Sequence, residues 1–213
     1  MNKLRLRFSK TGRAIYISHL DLMHTLQRAF SRAGYQLDHS EGFNPHPVLS
    51  IALPLSVGTS SLCEVLDFRL TADADPTEIP ARLNQTLPEG IEVLEAYVPE
   101  RKAAELRYLS IQGVFDYDDR TMDAEALREF FLQESILVSK KSKKGIVETD
   151  IRPMMKEVSS ADGCLHAIIC AQEPTLNPDL LVAALERYRP DLAPDFARFT
   201  RLETFDGEMN IFR

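Results

Sequence analysis

Leu4-Arg5-Leu6-Arg7-Phe8, with the later run Ser18-His19-Leu20-Asp21-Leu22-Met23 that ends at Gly34, decides the fold. The first stretch alternates apolar and basic residues with period two, the pattern of a half-buried strand. The second opens on Ser18, an N-cap residue, with Asp21 three positions on in capping-box position. Leu22, Met23, Leu26, Ala29, Phe30 and Ala33 then recur at helical spacing, and Gly34 supplies a stop. Strand leads to helix.

Working outward, Val48 to Leu53 and Leu62 to Leu70 read as two further strands. Asp75-Pro76-Thr77-Glu78 reads as a capped helix start, with Pro80 as an alternative first residue. Ile91-Glu92-Val93-Leu94 opens a fourth strand. The order is βαββαβ, the split unit of ferredoxin-like domains. The remainder repeats it. Tyr108 to Phe115, Ile136 to Val138, Leu165 to Cys170 and Phe199 to Phe205 read as strands, with helices opening at Thr121 and Asn177. Those two starts lie 103 and 102 residues beyond Ser18 and Asp75. The expected class is therefore α+β, two tandem ferredoxin-like (βαββαβ) halves with antiparallel sheets, over 1–100 and 101–213. Residues 140–160 hold more chain than one hairpin needs.

Composition narrows the class. The 213 residues are 44% hydrophobic and 27% charged, ordinary for a globular chain. No run approaches transmembrane length, and the N-terminus has no signal-peptide pattern, so a cytoplasmic protein with no membrane association is expected. Cys63, Cys164 and Cys170 show no CxxC spacing, so no zinc ribbon, cluster or other cofactor is expected on this chain. The net charge of −7 hides an asymmetry: residues 1–50 hold seven Lys/Arg and three Asp/Glu, a balance of +4 that leaves −11 on the rest. Arg5, Arg7, Lys10, Arg13 and Arg28 are expected to form one positive surface for an anionic partner. The alternative makes some of them merely the outer face of a strand.

The loop Ser40-Glu41-Gly42-Phe43-Asn44-Pro45-His46-Pro47 has the strongest local character. Two prolines fix their own φ and press Asn44 and His46 toward extended geometry. A stiff segment offering Phe43, Asn44 and His46 suits recognition, although a rigid connector explains the same residues. His46 is expected to be solvent-accessible and close to His19 or Asp21. His19 and His24 are five apart, not the i,i+4 spacing of helical metal pairs, so no metal site is expected. His19, Asp21 and His46 are the available acid–base groups, but Asp21 has a ready capping role. Lys140 to Gly145 is a compact basic turn that could meet phosphates. Asp150 and Arg152 flank Ile151 and could bind together or simply form an ion pair. GxSxG, P-loop, GxGxxG and HExxH patterns are absent, so no turnover by the isolated chain is expected.

Leu6-Arg7-Phe8-Ser9-Lys10, Tyr16-Ile17-Ser18-His19-Leu20-Asp21, the Glu41-to-Pro47 loop, Ala52-Leu53-Pro54-Leu55-Ser56-Val57-Gly58 and, more weakly, Val147 to Pro153 together resemble the radical-SAM-linked bacterial family. That family is a domain of unknown function, fused to or encoded beside a B12-binding-type radical SAM protein. The resemblance implies a separately encoded radical SAM partner. Its genomic settings often include RNA-processing genes, which implies RNA as a further ligand. The leading expectation is a non-catalytic accessory or substrate-binding partner of a radical SAM enzyme, RNA-related. The alternatives are a metal-independent RNA-processing enzyme using His19 or His46, and a pure protein-interaction subunit.

Overall fold

A computed structural model describes residues 3–142, 145–161 and 163–213. Among them the chain is mixed α+β, with four α-helices and strands paired antiparallel. It divides into two compact units, Met1–Glu105 with Phe212–Arg213, and Leu106–Ile211. The last two residues thus belong to the first unit rather than to the half in which they end. No helix is long and apolar enough to cross a membrane among the described residues.

The first unit carries β1 (Leu4–Lys10), α1 (His19–Arg32), β2 (Leu49–Ile51), β3 (Ser60–Phe68), α2 (Ile79–Asn84) and β4 (Ile91–Tyr97). β1 pairs with β4 on one side and β3 on the other, and β2 pairs with β3, so the order is β4-β1-β3-β2. Ser18 caps α1 as the sequence predicts: its Oγ accepts the Asp21 amide at 3.2 Å and donates to the Asp21 carboxylate at 2.7 Å. Leu22, Leu26, Ala29 and Phe30 of α1 join Leu6 and Phe8 of β1, Phe68 of β3 and Ile79 and Leu83 of α2 in one core. The Phe30 and Phe68 rings sit 4.8 Å apart. Asp75 caps a short 3-10 turn, Pro76–Glu78, and α2 proper starts beyond it. Where β4 approaches the turn after β1, the Gly90 carbonyl accepts the Thr11 amide at 2.7 Å. Gly90 has φ +87°, and a Cβ there would press on the Thr11 carbonyl oxygen and on Ala14.

The second unit carries β5 (Tyr108–Asp116), α3 (Ala124–Phe131), β6 (Leu137–Ser142), β7 (Gly145–Asp150), β8 (Met155–Ala161), β9 (Cys164–Cys170), α4 (Asp179–Tyr188) and β10 (Phe196–Phe205). Its sheet runs β10-β5-β9-β8. Among the described residues, β6 and β7 pair only with each other, as a separate hairpin. That accounts for the surplus chain in 140–160 and corrects the reading of 136–138 as a strand of the main sheet. The sheet position goes to β8, whose polar residues (Lys156, Glu157, Ser159, Ser160) suit an edge and hide it from an apolar-pattern search. The cap of α3 is Asp123 rather than Thr121, its carboxylate accepting the Ala126 amide at 3.0 Å.

The hairpin is tied near its base. The Arg187 guanidinium meets Glu148 at 3.0 Å, and the Tyr188 hydroxyl donates to the Leu137 carbonyl at 2.8 Å. At its base one Asp150 oxygen accepts the amides of Ile136 (2.9 Å) and Arg152 (3.0 Å). Burial pushes the Asp150 carboxyl up. The Ile136 and Arg152 amides, the Ser135 hydroxyl and the Arg152 charge outweigh it and hold the group below its ordinary value.

β1 is covered on both faces. Arg5, directly opposite Asp67 in the β1–β3 register, is 0% exposed. Its Nε and Nη2 reach the Asp67 carboxylate at 2.6 and 3.1 Å, and Lys3 adds a contact at 2.6 Å. The Phe212 ring lies 4.7 Å from the guanidinium carbon.

Asp67→Ala strands a buried guanidinium and should cost about 3–5 kcal/mol in urea unfolding, whereas Arg5→Met with Asp67→Leu should cost far less. Gly90→Ala should cost about 2 kcal/mol from left-handed strain and the Thr11 clash. Asp150→Ala should cost about 1–3 kcal/mol at pH 7 by leaving two amides unpaired. Because the folded Asp150 carboxyl titrates below its unfolded value, its contribution is full above the unfolded pKa and is lost as pH falls through the folded one. The variant's stability should therefore converge on the parent's in acid.

Candidate functional site

The Ser40–Pro47 loop is closed by its own stem. Antiparallel contacts join His39 to Pro47, and the Val48 amide donates to the Asp38 carbonyl at 2.7 Å. One step out, the Ser40 amide donates to the His46 carbonyl at 2.8 Å. The Ser40 hydroxyl accepts the His46 amide at 3.1 Å and lies 2.8 Å from His46 Nδ1. His46 Nδ1 also lies 3.5 Å from the Asn44 carbonyl, so the ring nitrogen accepts from the Ser40 hydroxyl in one tautomer and donates to these oxygens in the other. Gly42 turns the tip at φ +124°. Three hydrogen bonds between Ser40 and His46 therefore set the loop, and the prolines stiffen the segment between them.

The residues that the clasp presents are open to solvent. Phe43 is 105% exposed, and Asn44 and His46 are exposed beside it. A large aromatic side chain held fully out of the core by a stiff loop adds nothing to folding stability.

The stem forms one wall of a cleft of about 400 Å³. Its lining residues are Gln27, Arg28, Ser31, Tyr35, Gln36, Leu37, His39 and Pro47. The positions 27, 28 and 31 share one face of α1, at spacings of three and four.

The expected single positive surface breaks up. Arg5 is consumed by Asp67. Lys10 is 1% exposed, and its Nζ donates to the carbonyls of Ile15 (3.1 Å) and Ile17 (2.9 Å), fixing the turn into α1. Arg7 is half-buried, while Arg13 and Arg28 are exposed. The cause is local: a lysine or arginine in a strand with both faces covered must find acceptors inside. Asp67 within an apolar run was the available sign, since a buried carboxylate needs a cation.

His19 and Asp21 are exposed on the first turn of α1. The β-register separates them from the loop. Leu49 and Leu4 both lie opposite Phe68, while Lys10 lies opposite Ser61. The chain thus enters α1 from the Lys10 end of the sheet and enters β2 from the Leu4 end. The 14 residues of α1 span about 21 Å between those ends. The expectation that His46 neighbours His19 or Asp21 gives way to this geometry, while its exposure stands. No three-member group of His, Cys, Asp or Glu is positioned to hold a metal ion among the described residues.

Asp150 and Arg152 both turn to backbone. Asp150 accepts the Ile136 and Arg152 amides, and Arg152 Nη1 donates to the Met155 carbonyl at 2.7 Å. Both residues build the junction between hairpin and β8. Of the basic turn, Lys143 and Lys144 lie outside the described residues. The residues that sequence reasoning missed are Gln27, Ser31 and His39, which carry no motif and meet only once α1 and the stem pack.

No curated protein matches the chain. A solved structure described as an unknown protein from Galdieria sulphuraria is 10% identical, covering 94% of this chain and 98% of that one, with a TM-score of 0.30. Residues 3–178, which include β1 through β9 and the whole loop, match a family of bacterial sequences, and the chain belongs to that family, described as an uncharacterized protein conserved in bacteria (DUF2344).

Proposed function

We propose that this protein is an accessory, substrate-binding subunit for a radical SAM enzyme of the bacterial cytoplasm, and that the substrate it grips is RNA. The observation that carries this reading is the fully exposed Phe43 at the tip of a hydrogen-bonded, proline-stiffened loop. Single-stranded RNA is read by aromatic rings that stack on splayed bases, aided by groups that meet base edges. Asn44 and His46 stand beside the ring as donors and acceptors, and Arg28 and Arg13, both exposed, are the candidate phosphate contacts. The radical SAM partner comes from the resemblance of the chain's motifs to the radical-SAM-linked family.

Each unit is read as a ferredoxin-like βαββαβ domain. The strand orders β4-β1-β3-β2 and β10-β5-β9-β8 support it, with the β6–β7 hairpin as an insertion before the second strand of the second unit. Tyr16, Leu20 and Val57, exposed at 70%, 64% and 59%, offer apolar area for a protein partner near the start of α1.

A gel-shift with a short single-stranded RNA at two salt concentrations, with a pull-down of the co-encoded radical SAM protein, tests this function. RNA binding should weaken as salt rises, because phosphate contacts release counterions. Phe43→Ala should lower affinity about tenfold, the magnitude of one lost base stack. His46→Asn should change the order of preference among sequences more than the mean affinity. RNA cleavage by the purified chain, abolished in His46→Ala, would replace this function with the enzymatic one.

A further inference from the structure

The cleft between α1 and the loop stem has a composition at odds with the rest of the chain. The protein carries 32 Asp and Glu residues and a net charge of −7, yet none of the residues lining this cleft is acidic. The lining supplies a guanidinium (Arg28), an imidazole (His39), a hydroxyl (Ser31) and two carboxamides (Gln27, Gln36). Arg28 and His39 are exposed, and the Arg28 side chain has no hydrogen bond or ion pair to another described residue. Asp73, Asp75 and Glu78 line a second cleft that shares Tyr35 and Gln36 with this one, so the carboxylates begin on the far side of those two residues. Asp38, next to the stem, is ion-paired with Arg69 at 3.3 Å, and Glu41 is exposed in the loop.

We propose that this cleft is the phosphate subsite of the interface, holding one nucleotide phosphate of a single-stranded RNA while the adjoining base is offered to Phe43. This deepens the RNA-binding reading and rests on it. Three features assign the ligand class. Arg28 is the cation suited to forked contact with phosphate oxygens. Every other polar group in the lining can donate a hydrogen bond, as an anion requires. The volume, about 400 Å³, is near the lower end of ligand clefts and suits one nucleotide rather than several. The Ser40–His46 clasp continues the same stem, so the cleft wall and the Phe43 platform are one rigid piece.

The test uses the full chain in low salt. Amide NMR shifts and calorimetry are recorded with 5′-AMP, adenosine, inorganic phosphate and a ten-nucleotide single-stranded RNA. AMP and RNA should shift the amides of residues 27–31 and 36–39, inorganic phosphate should compete with AMP, and adenosine should bind at least about tenfold more weakly than AMP. Arg28→Gln should weaken AMP and RNA about tenfold, His39→Asn less, while Arg128→Gln, on the exposed face of α3 in the other unit, should change nothing. Because Arg28 is exposed and has no hydrogen bond or ion pair among the described residues, its variant should keep the parent melting temperature. Equal binding of AMP and adenosine, shifts that map elsewhere, or an unaffected Arg28→Gln would overturn the subsite. The two proposals fail separately. RNA retained with AMP inert removes the subsite and leaves RNA binding. AMP bound through Arg28 with RNA refused keeps the phosphate site and makes its ligand a free nucleotide.

Discussion

The buried Arg5–Asp67 pair fixes the geometry of the first unit. β1 is the strand to which β3 and β4 both pair, and it is covered on both faces. A guanidinium there survives only because Asp67 lies directly opposite and takes two hydrogen bonds, with the C-terminal Phe212 ring closing over it. The pair holds two strands and the chain terminus to one arrangement. It also removes from the surface a charge that the sequence pattern places there. Lys10 does the same at the other end of β1, committing its ammonium to the Ile15 and Ile17 carbonyls. The positive balance of the first 50 residues is thus partly internal, and the share that stays outside is sparser.

This redistribution is why the loop side of α1 stands out. An acidic protein repels anions over most of its surface. On the RNA-binding reading proposed above, the cleft with no acidic lining residue is the local exception on which a polyanion would settle. Stiffness is the second ingredient. The Ser40–His46 clasp and the two prolines fix the loop before any ligand arrives, so little ordering entropy is lost on binding. On the same reading, a mobile loop with the same residues would bind more weakly.

Elements with strong periodicity were legible in the sequence. The alternation of Leu4 to Phe8 and the apolar stripe of α1 identified a strand and a helix, and Ser18 marked the helix start because its cap is a local interaction between residues three apart. The features that escaped were non-local. That Arg5 faces an acid depends on strand register. That the Ile136–Val138 run belongs to a detached hairpin depends on β8 taking the edge, and β8 is too polar to announce itself. The loop was legible as stiff and exposed, since prolines act on their own neighbours. Its distance from His19 was not, because the two ends of a helix–sheet crossover are separated only in the folded chain. Of the cleft residues, His39 stood out only as one of four histidines between His19 and His46, and Gln27 and Ser31 had no signal, as ordinary polar residues acquire meaning only by meeting.

Whether RNA is held where the loop meets α1 is tested most directly by photo-crosslinking. The protein is irradiated with a single-stranded RNA carrying 4-thiouridine, and the linked peptides are identified by mass spectrometry. Cross-links should concentrate on Phe43 and on peptides spanning residues 27–47. Cross-links confined to the second unit, or none above those of an unrelated acidic protein, would contradict it.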